Sequence, residues 1–266
     1  MTSSTYSAND GAAYERLMGR WSPLLAAELV AFAGSGADED VLDLGCGTGS
    51  LALLLAERAA ARRILGIDVA AAYIAYAAAR CPDPRVSFKV GDALALDLPD
   101  RSVDRAFSLL ALNFMAAPER AIAEMRRVTR PGGTVAAAVW DFAGGLVYQR
   151  IFWDTAAALD PEAARARARH YASPLTRERE LAIAFAAAGL SDVREAALTI
   201  RMRYADFADY WEPIRQAQGP VGDYTKRLGE ERLAPLREAL REAYCCGRPD
   251  GPRSMAATAW AAAAVV

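Results

Sequence analysis

The chain has a single histidine, His170, and four cysteines, Cys46, Cys81, Cys245 and Cys246. None of the cysteines forms a C-x-x-C pair, and adjacent Cys245 and Cys246 cannot bridge each other without strain. This excludes a zinc framework, leaves histidine and cysteine too scattered for any metal ligand set, and reads as a reduced, cytoplasmic protein. A long basic segment is also missing. The net charge is −2 and the sequence pI about 5.6, so a nucleic-acid backbone is not an expected partner. Arg126, Arg127 and Arg130 come closest to a basic cluster, and they sit in one amphipathic stretch that reads as a solvated face. The longest apolar run, residues 256–266, contains Thr258 and is too short to span a bilayer; it reads as a buried strand. The opening MTSSTYSAND has no basic segment followed by an apolar core, so no signal peptide is expected.

What is present suits one globular domain. With 266 residues, 53% hydrophobic and 24% charged, the chain can bury a substantial core. Helical spacing of Leu17, Leu24, Leu25, Leu29 and Phe32 predicts a helix over residues 14–32, ended at Gly34-Ser35-Gly36. Strands and helices then alternate. Strands are predicted at 41–44, 64–69, 86–90, 103–110 and 134–140, with helices at 51–58, 70–80 and 118–129, the last stopped by Pro131-Gly132-Gly133. Such alternation implies parallel pairing with right-handed crossovers. After Trp140 the rhythm changes to helices at 145–158, 161–170 and 177–188, a strand at 193–203, a helical block at 206–244 interrupted by Gln218-Gly219-Pro220, and a last strand at 254–265. The two late strands can pair antiparallel at one edge of the sheet.

Three acids stand at the ends of the first three strands. Asp43 lies in Val41-Leu42-Asp43-Leu44, just before Gly45, Gly47 and Gly49 at every second position, and a helix follows. Such a turn lets a ligand approach bare backbone N–H groups at a helix N-terminus. The spacing is G-x-G-x-G rather than the G-x-G-x-x-G of dinucleotide sites. Asp68, with Val69 after it, lies about 20 residues further on, where a carboxylate can accept from both hydroxyls of a ribose; it can also cap the following helix. Asp92, in Gly91-Asp92-Ala93, can accept an exocyclic amine of a purine, with the Ala93 backbone at the ring edge. Ser108 and Leu109 end the fourth strand, where open parallel sheets bind ligands, and Asn113 beyond them faces a substrate or caps a helix.

In this order the pieces resemble class I S-adenosylmethionine-dependent methyltransferases through at least residues 41–140. Arg127-Val128-Thr129-Arg130-Pro131-Gly132-Gly133 is similar to the L-R-P-G-G segment before their fifth strand, with Thr129 in place of leucine. The nearest branch is that of ubiquinone/menaquinone-biosynthesis C-methyltransferases and bacterial small-molecule methyltransferases. The resemblance implies an α/β, Rossmann-like, seven-stranded sheet of order 3-2-1-4-5-7-6 with strand 7 antiparallel, in one domain over residues 1–266. It implies S-adenosyl-L-methionine as cofactor and S-adenosyl-L-homocysteine as product. The glycines and Asp43 would meet the amino-acid moiety and ribose, Asp68 and Val69 the ribose, Asp92 and Ala93 the adenine, and Ser108 and Leu109 the methionine portion. Residues 14–22 resemble the covering N-terminal helix of that branch (about 12–33 here), which carries over Tyr14, Arg20, Trp21 and Ser22 as contacts. Arg20 would hold the cofactor carboxylate or lie free on the surface.

Helical lids at about 144–175 and 206–248 would then lie at the C-terminal rim of the sheet. With Trp140 they bring Trp153, Tyr171 and Trp211, which suit an apolar or aromatic small-molecule acceptor or form the lid's own core. Methyl transfer needs alignment and exclusion of water, and a base only where the nucleophile is protonated. His170 is the candidate base; a lid or surface role is its alternative. The Pro-Pro motif of many DNA and glutamine N-methyltransferases is missing after strand 4, and no Pro-Cys dipeptide marks a cytosine nucleophile. Two other classes remain open: a non-catalytic S-adenosylmethionine-binding or sensor protein, and a nucleotide-dependent oxidoreductase, for which the glycine spacing and active-site residues do not fit.

Overall fold

The computed structural model describes residues 10–58, 60–216 and 219–266. The leader reading of residues 1–9 and the Gln218 part of the Gln218-Gly219-Pro220 interruption lie outside the described residues. Seven strands form one sheet: β1 (Asp40–Leu44), β2 (Arg63–Asp68), β3 (Val86–Val90), β4 (Val103–Leu109), β5 (Thr129–Trp140), β6 (Ser191–Tyr204) and β7 (Arg253–Val265). Their order is β3-β2-β1-β4-β5-β7-β6. The first five run parallel, and β7 pairs antiparallel with both β5 and β6. This is the expected mixed sheet.

Helices cover both faces, and two buried apolar clusters lie one on each side of the sheet. Around the parallel half are α1 (Gly11–Tyr14), α2 (Ser22–Ala33), α3 (Ser50–Arg58), α4 (Ala71–Arg80) and α5 (Pro118–Val128). The later helices are α6 (Val147–Leu159), α7 (Pro161–Tyr171), α8 (Glu180–Ala187), α9 (Phe207–Arg215), α10 (Pro220–Arg227) and α11 (Glu230–Cys245). Strand β1 is buried along its whole length and β5 from Val135 to Trp140, which is why these stretches read as continuous apolar runs rather than alternating ones.

Two expectations are corrected. The helix anticipated over 14–32 is broken: α1 passes into a π-helical turn, Glu15–Gly19, and α2 starts afresh at Ser22. Pro23 stands in the first turn of α2, where its missing N–H costs nothing, so the chain restarts a helix there. The fifth strand begins at Thr129, not Thr134. Val103 pairs with Thr129 and Arg105 with Thr134, so the residues between them, including Pro131-Gly132-Gly133, are absorbed in an irregularity of the ladder. A bulge accepts a proline that regular pairing would not.

Candidate functional site

The carboxyl ends of the first five strands open into a single cleft of about 1450 Å³, counting its mouth. The glycine turn after β1 forms its floor. Gly45, Gly47 and Gly49 all have positive φ (70°, 54° and 88°). Gly45 is also sterically required, since a Cβ there would lie 2.4 Å from that of Ala111. At Gly47 a Cβ would meet nothing nearer than Tyr73 at 3.9 Å, so the backbone faces open space that a ligand can fill.

Asp68 holds this turn from the next strand. Its Oδ2 accepts the Gly47 N–H (2.9 Å) and its Oδ1 the Ala70 N–H (2.8 Å), and burial pushes its carboxyl above the ordinary range. Asp43 is completely buried at the cleft wall. One oxygen accepts the Ala52 N–H (3.1 Å); Oδ1 has no partner among the described residues. Burial raises the Asp43 carboxyl to about 7, with the charge of Asp68 adding to the effect. Asp92 accepts the Leu94 N–H (2.9 Å), and Val69, Gly91, Ala93 and Leu109 line the same wall. Leu110, also on the wall, is held at φ 60°, which packing at the end of β4 imposes on a residue that disfavours it.

Further along, the cleft is walled by Tyr14, Leu17, Met18, Phe114, Trp140, Phe142, Tyr148, Gln149, His170, Ile214 and Val221. No lysine or arginine is among its described lining residues. The His170 ring is buried against Phe142, with centroids 4.0 Å apart, and its Nε2 lies 2.7 Å from Gln149 Oε1. Burial brings it down to about 4, so it is neutral at pH 7.

The structure brings together Tyr14, Asp43, Gly45, Gly47, Asp68, Val69, Asp92, Ala93, Leu109, Trp140 and His170, while Gly49 is off the wall, where a Cβ would meet Phe88 at 3.1 Å and Ala77 at 3.2 Å. It places others elsewhere. The Arg20 guanidinium pairs with Asp209 (2.5 Å), donates to the Arg203 carbonyl and stacks on Trp21, so it clamps the N-terminal segment to the lid instead of reaching the cleft. Trp21 is buried against Tyr204. Ser108 and Asn113 are buried behind the wall, with Ser108 Oγ and Asn113 Nδ2 unpartnered. Trp153, Tyr171 and Trp211 are off the wall too: Trp153 packs on Phe152 and Tyr224, Tyr171 beside His170, and Trp211 on Phe207. A block of short helices has to bury something of its own, and Trp153 and Trp211 do so.

Sequence reasoning missed Glu15, Thr48, Tyr148 and Gln149. Thr48 lies inside the glycine turn and donates to Glu15 Oε1 (2.5 Å), while Glu15 Oε2 meets Arg80 (2.8 Å). This ties the N-terminal segment down over the turn. Thr48 could have been found from its place in the motif; Gln149 carries no local signal.

Residues 41–133 match the methyltransferase domain family, and the sheet has the family's order with an antiparallel β7. Residues 41–133 form a methyltransferase domain of the class I S-adenosylmethionine-dependent kind. It is 34% identical over 179 residues to a 37.1 kDa protein in a transposon of Streptomyces fradiae, covering 64% of this chain and 49% of that one. It is 38% identical over 124 residues to demethylmenaquinone methyltransferase of Thermus thermophilus, covering 44% and 56%. The chain thus spans about half the length of these curated relatives. Among solved structures it is similar in fold to phosphoethanolamine N-methyltransferase 2 of Haemonchus contortus in complex with S-adenosyl-L-methionine (TM-score 0.61, 18% identity, 96% of this chain and 56% of that one).

The cofactor of this methyltransferase family, S-adenosylmethionine, fits the cleft on this chain's own chemistry. A cationic ligand would meet a buried carboxylate oxygen that has no partner among the described residues, and no lysine or arginine among the described lining residues. Among the described residues no group of three or more His, Cys, Asp or Glu could hold a metal, and no helix is long and apolar enough to cross a membrane.

A proton linkage follows. Near pH 7 Asp43 is about half protonated, and a bound cation favours its ionised form. Binding of S-adenosylmethionine is therefore expected to release a fraction of a proton at pH 7 and to weaken, by up to about tenfold per unit, as pH falls below 7. Calorimetry in two buffers of different ionisation enthalpy measures the release, and Asp43→Asn should abolish it. In the cofactor-free protein the sign is opposite for folding. Asp43 is raised from 3.8 to about 7, so its contribution to stability is present below pH about 4 and is lost as pH rises towards 7.

Proposed function

We propose that the protein transfers the methyl group of S-adenosylmethionine to a small, uncharged acceptor with an apolar or aromatic frame. One observation carries this reading. A single cleft joins the glycine turn and its three carboxylates to an apolar, aromatic chamber with no lysine or arginine among its described lining residues. The sulfonium supplies an activated methyl group and a good leaving group. This chain's residues would do the rest. Asp43 offers its free oxygen to positive charge at the amino-acid end, and Asp68 both holds the turn and faces the ribose. Asp92 and Ala93 bound the purine end. Tyr14, Met18 and Phe142 close the chamber and keep water from the reacting atoms, so that alignment supplies most of the acceleration.

The relatives named above act on demethylmenaquinone and phosphoethanolamine by their names. The chamber supports the first kind of acceptor, a ring system without a phosphate, better than the second. The test is calorimetry with S-adenosylmethionine, S-adenosylhomocysteine and NAD, followed by radiolabelled methyl transfer to a panel of ring-bearing and phosphorylated acceptors. Binding of both sulfur compounds with little or none of NAD is expected, with transfer confined to uncharged acceptors. Preferential NAD binding would overturn the reading; tight binding with no transfer to any acceptor would make the protein a sensor.

A further inference from the structure

We propose that the acceptor presents a hydroxyl group to Nδ1 of His170, which takes its proton as the methyl group arrives, and that Gln149 and Tyr148 are positioning residues that keep Nδ1 free. This rests on the cleft being the S-adenosylmethionine site.

The hydrogen bonds around the ring run in one sense. The Gln149 side-chain N–H donates to the Tyr148 hydroxyl oxygen (3.0 Å), and the Tyr148 O–H donates to Met18 Sδ (3.6 Å). That turns Gln149 Oε1, an acceptor, towards His170 Nε2 at 2.7 Å, so Nε2 carries the ring hydrogen and Nδ1 the lone pair. Nδ1 makes no hydrogen bond with the described protein and is not among the unpartnered polar atoms sealed from solvent. The ring lines the cleft, and we take Nδ1 as the atom it presents there.

The surroundings select the acceptor. Among the described residues the ring packs on Phe142, Trp153 and Tyr171, and burial is the cause of its lowered basicity, with no carboxylate contributing. An anionic acceptor finds no lysine or arginine in the cleft. A neutral amine would leave the same single positive charge, on its own nitrogen, and would make no use of a base; a hydroxyl is the acceptor for which a bare imidazole nitrogen has a task. A hydroxyl ends as a neutral ether. Its oxygen gains the methyl group, the electron pair of the broken carbon–sulfur bond stays on sulfur, and the O–H proton moves to Nδ1 and then leaves to solvent at the mouth. Before the step the cleft holds one positive charge, on sulfur; afterwards it holds one, on the imidazole. The burial that keeps His170 neutral at rest is therefore not an added barrier, because the charge is displaced and not created.

His170 is the chain's only histidine, so selective ¹⁵N-histidine labelling reports on one imidazole. The experiment uses the full chain, without a histidine tag, saturated with S-adenosylhomocysteine, and adds 2-naphthol, 2-methoxynaphthalene or 2-naphthoate as probes. We expect Nε2 protonated and Nδ1 bare at pH 7. 2-Naphthol should move the Nδ1 resonance, the methyl ether should bind without moving it, and 2-naphthoate should bind roughly tenfold or more weakly than the naphthol. Gln149→Leu should bring out the second tautomer. A protonated Nδ1 in the unaltered protein, an unmoved Nδ1 with 2-naphthol, or equal affinity for 2-naphthol and 2-naphthoate would each overturn the proposal. Failure to bind S-adenosylhomocysteine, read separately by calorimetry, would overturn the reading of the cleft instead.

Discussion

Replacing Asp68 by alanine is expected to weaken S-adenosylmethionine and S-adenosylhomocysteine binding roughly thirtyfold or more. Two effects combine. The carboxylate accepts the Gly47 and Ala70 N–H groups, one from the turn and one from the start of α4, so its loss frees the turn that forms the floor. It also removes the acceptor proposed for the ribose. Hydrogen bonds to a charged group contribute about 1.5–3 kcal/mol each, and loss of a fraction of two or three of them gives the stated factor. Asp68→Asn keeps one carbonyl oxygen and should fall between the two proteins. Calorimetry decides it: affinity within twofold of the original in the alanine variant would take Asp68 out of the site.

The second large effect concerns stability. Trp211→Ala is expected to destabilise the protein by about 3–5 kcal/mol, the usual cost of emptying a large aromatic site. At a few degrees per kcal/mol for a chain of this size, the melting temperature should drop roughly 10 °C. Trp211 is 1% exposed, stacks on Phe207 at an interplanar angle of 11°, and lies away from the cleft. Below the transition, cofactor affinity should be nearly unchanged, because the residues proposed to hold the cofactor lie on the parallel half of the sheet. Trp211→Phe should recover most of the loss. Thermal unfolding followed by tryptophan fluorescence, with calorimetry at 20 °C, checks both halves. An unchanged melting temperature with lost acceptor binding would instead restore Trp211 to the acceptor site.

Much of the molecule was legible from residue order alone, for a local reason. In a parallel sheet each strand end feeds directly into its loop, so an acid or glycine at that place in sequence is at that place in space. Asp43, Gly45, Gly47, Asp68, Asp92 and Ala93 converge because five strands run the same way. The seven-strand order followed from the resemblance to class I methyltransferases, and the number of strands read from the β/α rhythm agreed with it. Segment ends were less legible. At Pro131-Gly132-Gly133 a turn signal lies within a bulged strand, since the ladder, not the local propensity, sets where pairing begins.

The lid obeyed no such rule. Trp153 and Trp211 have the composition of a binding surface and the burial of a core, Tyr171 is half-buried beside them, and only the packing of α6, α7 and α9 distinguishes the two. Arg20 has the charge to hold a carboxylate, yet it meets that of Asp209, 189 positions away. Gln149 is an ordinary amide until α6 and α7 pack together and set it 2.7 Å from His170. Sequence determined the sheet and the residues proposed to hold the cofactor, because strand direction turns order into position. Tertiary structure alone decided which side chains face the acceptor, because a helix offers every side of itself and only its neighbours choose which is turned inward.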